Sequence, residues 1–144
     1  MNVFSIYHFD QDNIGIICNN SEIIYEAISS IDEAWFFPDR VMIMYNPGRF
    51  YPYTGGSPEK RHILTDEEIK LIGQNVLMID SKGEIIWEID PTRPDRRLYD
   101  RFHYYNIRQE KNGKWTVEYC DKYIFELDIE TGKLSKWDPA EHAL

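Results

Sequence analysis

Short apolar runs separated by turn residues recur along the chain. The clearest example is residues 76–91, in which two β-rich segments flank a turn that ends at Gly83. A glycine can take the positive φ that such a turn needs. Along the second segment, alternation places Ile85, Trp87 and Ile89 on one face and the glutamates on the other. The pattern predicts a β-hairpin.

This hairpin has partial copies elsewhere. Residues 21–26 (Ser-Glu-Ile-Ile-Tyr-Glu) repeat residues 83–88 (Gly-Glu-Ile-Ile-Trp-Glu), and residues 128–132 (Asp-Ile-Glu-Thr-Gly) repeat the turn. A helix is the competing prediction for residues 21–31, because their isoleucines also fit a helical stripe. In the second copy the repeated sequence follows a glycine turn, as the second strand of a hairpin does. The repeat therefore favours a strand over a helix for residues 21–26 as well.

The same reading extends over most of the chain. It predicts a strand at 3–9, hairpins at 14–18 with 22–28, 33–37 with 40–45, 101–108 with 114–120, and 122–128 with 133–137. Residues 41–45 are apolar on both faces, so we expect this strand to be central and covered on both sides. We expect Trp35, Trp87 and Trp115 to be largely buried.

Two segments depart from the strand pattern. Residues 65–68 (Thr-Asp-Glu-Glu) form a capping box, which predicts a short helix over 66–72 that ends at Gly73. Residues 46–63 form a long loop that contains Phe50, Tyr51 and Tyr53. These aromatic side chains have two open roles, as a recognition surface or as a lid over one end of the sheet.

The chain is therefore expected to be an all-β domain spanning residues 1–144. We expect a curled antiparallel sheet or a sandwich built from consecutive β-hairpins, similar to propeller blades, with one short helix. Because more than about ten strands rarely stay in one open sheet, the sheet should curl or split in two.

The N-terminal residues, the lengths of the apolar runs and the cysteines indicate where in the cell the protein is expected. The first residues lack the basic and apolar regions of a secretory signal, and no apolar run approaches the ~20 residues of a membrane span. We therefore expect a cytoplasmic protein that does not enter a membrane. Because disulfides are rare in the cytosol, Cys18 and Cys120 are expected to be buried free thiols.

Charge is distributed unevenly. The net charge is −9, and residues 1–39 contain seven acids with no Lys or Arg. A field of this sign repels nucleic acid and attracts a basic partner, although it can also serve solubility alone. The candidate partner-binding residues are Glu22, Glu26, Asp32, Glu33, Asp39, Tyr51 and Tyr53.

Catalytic chemistry is not evident. The four histidines are not spaced as metal ligands, and the chain has no phosphate loop, nucleophile elbow or zinc spacing. Asp80 and Asp128 precede turn glycines and are expected to cap their own turns. The arginines of residues 93–101 can clamp an anion or pair with the chain's own acids. We predict no catalytic residue, metal or cofactor.

Residues 127–133 (Leu-Asp-Ile-Glu-Thr-Gly-Lys) with Trp137 resemble the hairpins of quinoprotein-type β-propellers, whose Trp docks one blade on the next. Residues 79–83 with Trp87 are a shorter copy. A closed propeller needs at least about four blades, and this chain supplies fewer. The resemblance therefore implies local hairpin geometry and no quinone cofactor.

As a small acidic β-protein without a catalytic set, the chain also resembles the immunity proteins of bacterial contact-dependent inhibition and other polymorphic toxin systems. That resemblance implies a binding protein that blocks the active site of one cognate toxin domain, typically a basic nuclease. The alternatives are a module that binds a small molecule or carbohydrate through residues 46–63, and an enzyme that uses His103 or His8 with a carboxylate.

Overall fold

The computed structural model describes residues 4–9, 15–19, 22–50, 65–91, 103–119 and 123–136, and the structural statements below concern these residues. The strands are β1 (Phe4–Phe9), β2 (Gly15–Asn19), β3 (Glu22–Glu26), β4 (Ile31–Phe36), β5 (Arg40–Tyr45), β6 (Val76–Asp80), β7 (Ile85–Glu88), β8 (Tyr104–Gln109), β9 (Trp115–Tyr119), β10 (Tyr123–Leu127) and β11 (Leu134–Lys136). A 3₁₀ turn (Gly48–Phe50) and helix α1 (Asp66–Gly73) lie between β5 and β6.

The strands form three antiparallel sheets in chain order. The first sheet is β1-β2-β3, the second is β4-β5-β6-β7 and the third is β11-β10-β9-β8. Every neighbouring pair of strands is consecutive in the chain, and the sheets do not close into a barrel. The predicted all-β fold of consecutive hairpins with one short helix is confirmed for the described residues.

The second sheet lies in the middle of the stack. One face contributes Met42, Met78 and Trp87 to a core shared with the third sheet, where Tyr104 and Val117 are buried. The opposite face contributes Val41, Ile43 and Ile79 to a separate core, which it shares with β3 and with Ala27 in the segment after β3. The prediction that residues 41–45 are covered on both sides is confirmed.

Indole rings hold the second and third sheets together. Trp35, Met42, Met78 and Trp87 form one row across the second sheet. Trp87 and Trp115 are buried as predicted. Trp35 is only half-buried, because it lies on an edge strand that has a neighbour on one side.

In the turns that contain Gly83 and Gly132, the preceding aspartates make the hydrogen bonds that the sequence predicts. Asp80 Oδ1 accepts hydrogen bonds from the Lys82 and Glu84 backbone N–H groups at 2.8 and 3.0 Å. Asp128 Oδ1 accepts one from the Glu130 N–H at 2.9 Å. Each aspartate therefore caps its own turn, as expected from its position before a turn glycine.

Both turns also dock on the preceding sheet. A Cβ atom placed on Gly83 would overlap the carbonyl group of Ile24 in β3, and one placed on Gly132 would lie 2.5 Å from Cε3 of Trp87 in β7. The Trp87 indole N–H donates to the Ile129 carbonyl at 2.9 Å. Trp87 therefore docks its sheet on the next one, which is the role that the propeller resemblance implies for tryptophan.

One prediction about the central hairpin is wrong. Ile85 does not share the buried face of Trp87 and Ile89, since it is 48 % exposed. Ile79 is opposite Ile85 and Met78 is opposite Trp87, so β7 contains one extra residue. This β-bulge breaks the alternation on which the prediction depended.

The helix and the start of the long loop close one end of the second sheet. The capping box is present, with Thr65 Oγ1 accepting from the Glu68 N–H at 3.1 Å and Glu68 Oε1 accepting from the Thr65 N–H at 2.9 Å. Tyr45 donates from its hydroxyl to the Leu71 carbonyl at 2.6 Å, and its ring meets Phe50 edge-on at 6.5 Å. Phe50 therefore packs on the fold.

Several predictions concern residues outside the described ranges. They are the side-chain roles of Tyr51, Tyr53, Cys120, Trp137 and the arginines of 93–101.

A buried amide links the second and third sheets. Asn75 is 1 % exposed, and its Nδ2 donates to the carbonyls of Tyr45 and Tyr104 at 3.2 and 3.0 Å. Its Oδ1 accepts from the Tyr104 N–H at 2.9 Å. One side chain therefore satisfies three backbone groups.

Replacing Asn75 with leucine, which has a similar shape, should lower the free energy of unfolding by about 2–4 kcal/mol. The loss arises because backbone groups of Tyr45 and Tyr104 would lose the hydrogen bonds that the Asn75 side chain makes with them. Urea denaturation measures it, with Asn112→Ala as the control, since Asn112 makes an exposed turn hydrogen bond. A loss below about 1 kcal/mol for Asn75→Leu would show that these bonds contribute little.

Candidate functional site

Strand β4 forms one edge of the second sheet and carries two of the predicted partner-binding residues, Asp32 and Glu33, with a third, Asp39, shortly after its end. Among the described residues it pairs with β5 alone. Ile31 is buried, whereas Asp32 and Glu33 are both exposed. Two consecutive exposed carboxylates are unusual in a strand, where successive side chains point to opposite faces.

A β-bulge explains this pair. Ile31 is opposite Tyr45 and Glu33 is opposite Met44, so Asp32 is an extra residue in β4. The bulge re-aims the Asp32 side chain. Partial desolvation raises the pKa of the Asp32 carboxyl group, and a hydrogen bond from Asn46 acts in the opposite direction. The Asp32 side chain is therefore partly desolvated and interacts with Asn46.

Aromatic side chains occupy the second half of the strand. Trp35 meets Trp115 edge-on at a centroid distance of 6.4 Å, and Phe37 meets the same ring at 5.9 Å. Phe36 lies between them in the chain and points to the opposite face, where it is 50 % exposed. The edge therefore presents an apolar ring a few residues from two carboxylates.

The turn after β4 contains the first base of the chain. Arg40 Nε lies 3.1 Å from Asp39 Oδ1, and Arg40 Nη1 lies 3.4 Å from Glu130 Oε2 of the third sheet. The hydrogen bond from Arg40 holds the pKa of the Asp39 carboxyl group below its ordinary value. Asp39 therefore already forms an ion pair within the chain, whereas the sequence predicts only that it contacts a binding partner.

The predicted contact residues divide between two edges. Glu26 is exposed on β3, and the backbone of Glu22 lies on the same strand. Gly83 lies against Ile24 of β3, so β3 adjoins the turn between β6 and β7, whereas β4 is the strand at the far edge of the second sheet. Asp32, Glu33 and Asp39 are together at the other edge. Tyr51 and Tyr53 lie outside the described residues.

The exposed side chains of the β4 edge are two carboxylates and one aromatic ring. No group of three or more His, Cys, Asp or Glu among the described residues could hold a metal ion. The described part of the chain also has no helix with the length and apolarity of a membrane span. Carboxylates and an exposed ring can attract a basic group and cover an apolar one.

Sequence reasoning missed Phe36 as a candidate. Residues 35–37 read Trp-Phe-Phe before Pro38, and alternation alone indicates that one of three consecutive aromatic residues must point away from the other two. How much of the Phe36 ring is exposed depends on which residues pack over that face of the sheet, and the sequence pattern does not specify them.

Comparison of the chain with protein-family models, with curated proteins and with solved structures finds no match.

Proposed function

We propose that the chain is a binding protein that neutralises a basic toxin domain, of the nuclease type, by covering its active site. The observation that carries this proposal is the exposed edge strand β4, which carries Asp32, Glu33 and the exposed ring of Phe36 along one short segment. Interfaces of this kind combine an apolar centre with a charged rim. The resemblance to immunity proteins supplies the class of partner.

Electrostatics supports the same proposal. A net charge of −9 speeds the approach of a positively charged protein and slows that of nucleic acid. A nuclease domain carries basic residues where it binds phosphates. An acidic edge that meets those residues would compete directly with the substrate.

The test is co-expression with the product of the gene directly upstream. We expect a complex that survives purification and that abolishes the partner's nuclease activity. The double variant Asp32→Lys/Glu33→Lys should fold normally, because exposed charges contribute at most about 1 kcal/mol to stability. It should associate about tenfold more slowly at low salt, and less slowly than that at high salt, where charges are screened.

Glu22→Lys/Glu26→Lys is the matched control, since it makes the same charge change on β3. If Glu22→Lys/Glu26→Lys slows association less than the β4 variant does, the partner binds at the β4 edge. An equal effect from both variants would show that only the overall charge matters. No complex with the wild-type chain would reject the toxin-neutralising function.

A further inference from the structure

Phe36 differs from the other exposed apolar side chains of the described residues in its surroundings. Those residues are Ile28, Ile85, Ile86 and Tyr123, at 41–50 % exposure. Ile85 is the closest match, because it lies in the same cross-strand row as Phe36 at the opposite edge of the second sheet.

The backbone on both sides of Phe36 is held in place. Trp35 and Phe37 both pack against Trp115 of the third sheet, and the Phe37 N–H donates to the Arg40 carbonyl at 2.9 Å. The ring of Phe36 is therefore presented from a rigid segment. Pre-organisation of this kind lowers the entropic cost of binding and is typical of residues that dominate an interface.

The charges near Phe36 have mainly one sign. Asp32 and Glu33 precede it in β4, and Asp39 with Glu130 follows at the turn, against the single base Arg40. The edge that carries Ile85 is more balanced, because the exposed Glu84 and Glu88 are accompanied by Lys70, which lies 3.9 Å from Glu88, and by the exposed Lys82 in the adjoining turn. Of the two edges of the second sheet, the β4 edge is the one whose described residues combine an exposed ring with a clear excess of carboxylates.

We infer that Phe36 is the apolar anchor of the partner-binding surface, and that the partner is a basic protein with an apolar pocket bordered by Lys or Arg. This inference rests on the proposed function and adds the central contact to it. A second copy of the chain fits poorly, because it would bring two sets of carboxylates together. The bulge at Asp32 and the charges of β4 disfavour addition of a partner strand, so the contact is made by side chains.

The experiment compares Phe36→Ala with Ile85→Ala in the complex with the upstream gene product. Phe36→Ala should weaken binding at least about 30-fold, to a similar extent at low and high salt, because the lost contact is apolar. Ile85→Ala should change binding less than about threefold. Phe36→Leu should retain most of the affinity, and circular dichroism with urea denaturation checks that each variant is folded.

Other results separate the two proposals. If the partner binds Phe36→Ala as tightly as it binds the wild-type chain, Phe36 is not the anchor of the interface, and the proposed function still stands. No complex with the wild-type chain would overturn both. A wild-type dimer in sedimentation that Phe36→Ala dissociates would show that the ring meets a second copy, and would also overturn the inference.

Discussion

Replacing Trp87 with alanine is expected to lower the free energy of unfolding by about 3–5 kcal/mol. The indole is 7 % exposed and lies in the core between the second and third sheets. Its N–H donates to the Ile129 carbonyl, and Gly132 packs against its ring. The substitution removes the apolar contact, leaves a cavity and leaves that carbonyl without its donor.

Urea denaturation of three variants divides these contributions. Trp87→Phe keeps an apolar ring but loses the hydrogen bond, so it should cost less than Trp87→Ala. Trp35→Ala should also cost less, because Trp35 is only half-buried on an edge strand. A loss below about 2 kcal/mol for Trp87→Ala would contradict its role as the main contact between the two sheets.

The strands could be predicted from the sequence because alternation and turn chemistry are local. Val41, Ile43 and Tyr45 face one core and Met42 and Met44 the other, as a strand that is apolar on both faces requires. Asp80 and Asp128 bond to the backbone of their own turns, which depends only on neighbouring residues.

The β-bulges in β4 and β7 could not be predicted. Each inserts one residue, Asp32 in β4 and one residue of the Ile85–Ile86 pair in β7, and reverses the faces assigned by simple alternation. A bulge depends on the register with the partner strand, which a pattern within one strand does not specify. For this reason Ile85 was assigned to the wrong face.

The candidate site was predictable only in part. The base-free acidic segment is visible in the sequence, but its division between β3 and β4 depends on how the sheets stack. The pairing of Arg40 with Glu130 joins residues 90 positions apart, so it required the fold. The exposure of Phe36 follows from the packing of Trp35 and Phe37 on a distant ring, Trp115.

The repeat in the sequence has a structural meaning beyond its two strands. The two copies of the repeat contain β3 (Glu22–Glu26) and β7 (Ile85–Glu88), and each strand receives the glycine turn of the next sheet. The similar Ile-Ile pairs followed by an aromatic residue therefore mark the surface on which a neighbouring sheet docks. Substitution of a docking glycine should test this interpretation directly.

Gly83→Val is expected to destabilise the protein by at least about 2 kcal/mol more than Gly113→Val. Both glycines have positive φ, 82° and 87°, so a β-branched side chain is strained by a similar amount at either position, about 1–3 kcal/mol. The surroundings differ. A Cβ atom on Gly83 would overlap the backbone carbonyl of Ile24, whereas nothing lies within 4 Å of one on Gly113.

Because a backbone carbonyl cannot rotate away as a side chain can, Gly83→Val must separate the turn from β3 or distort both. Urea denaturation of the two variants measures the difference in unfolding free energy, from which the shared φ strain cancels. Hydrogen exchange should show faster exchange in β3 for Gly83→Val and no change there for Gly113→Val. Equal destabilisation by the two substitutions would mean that the second sheet does not dock on the first through this turn.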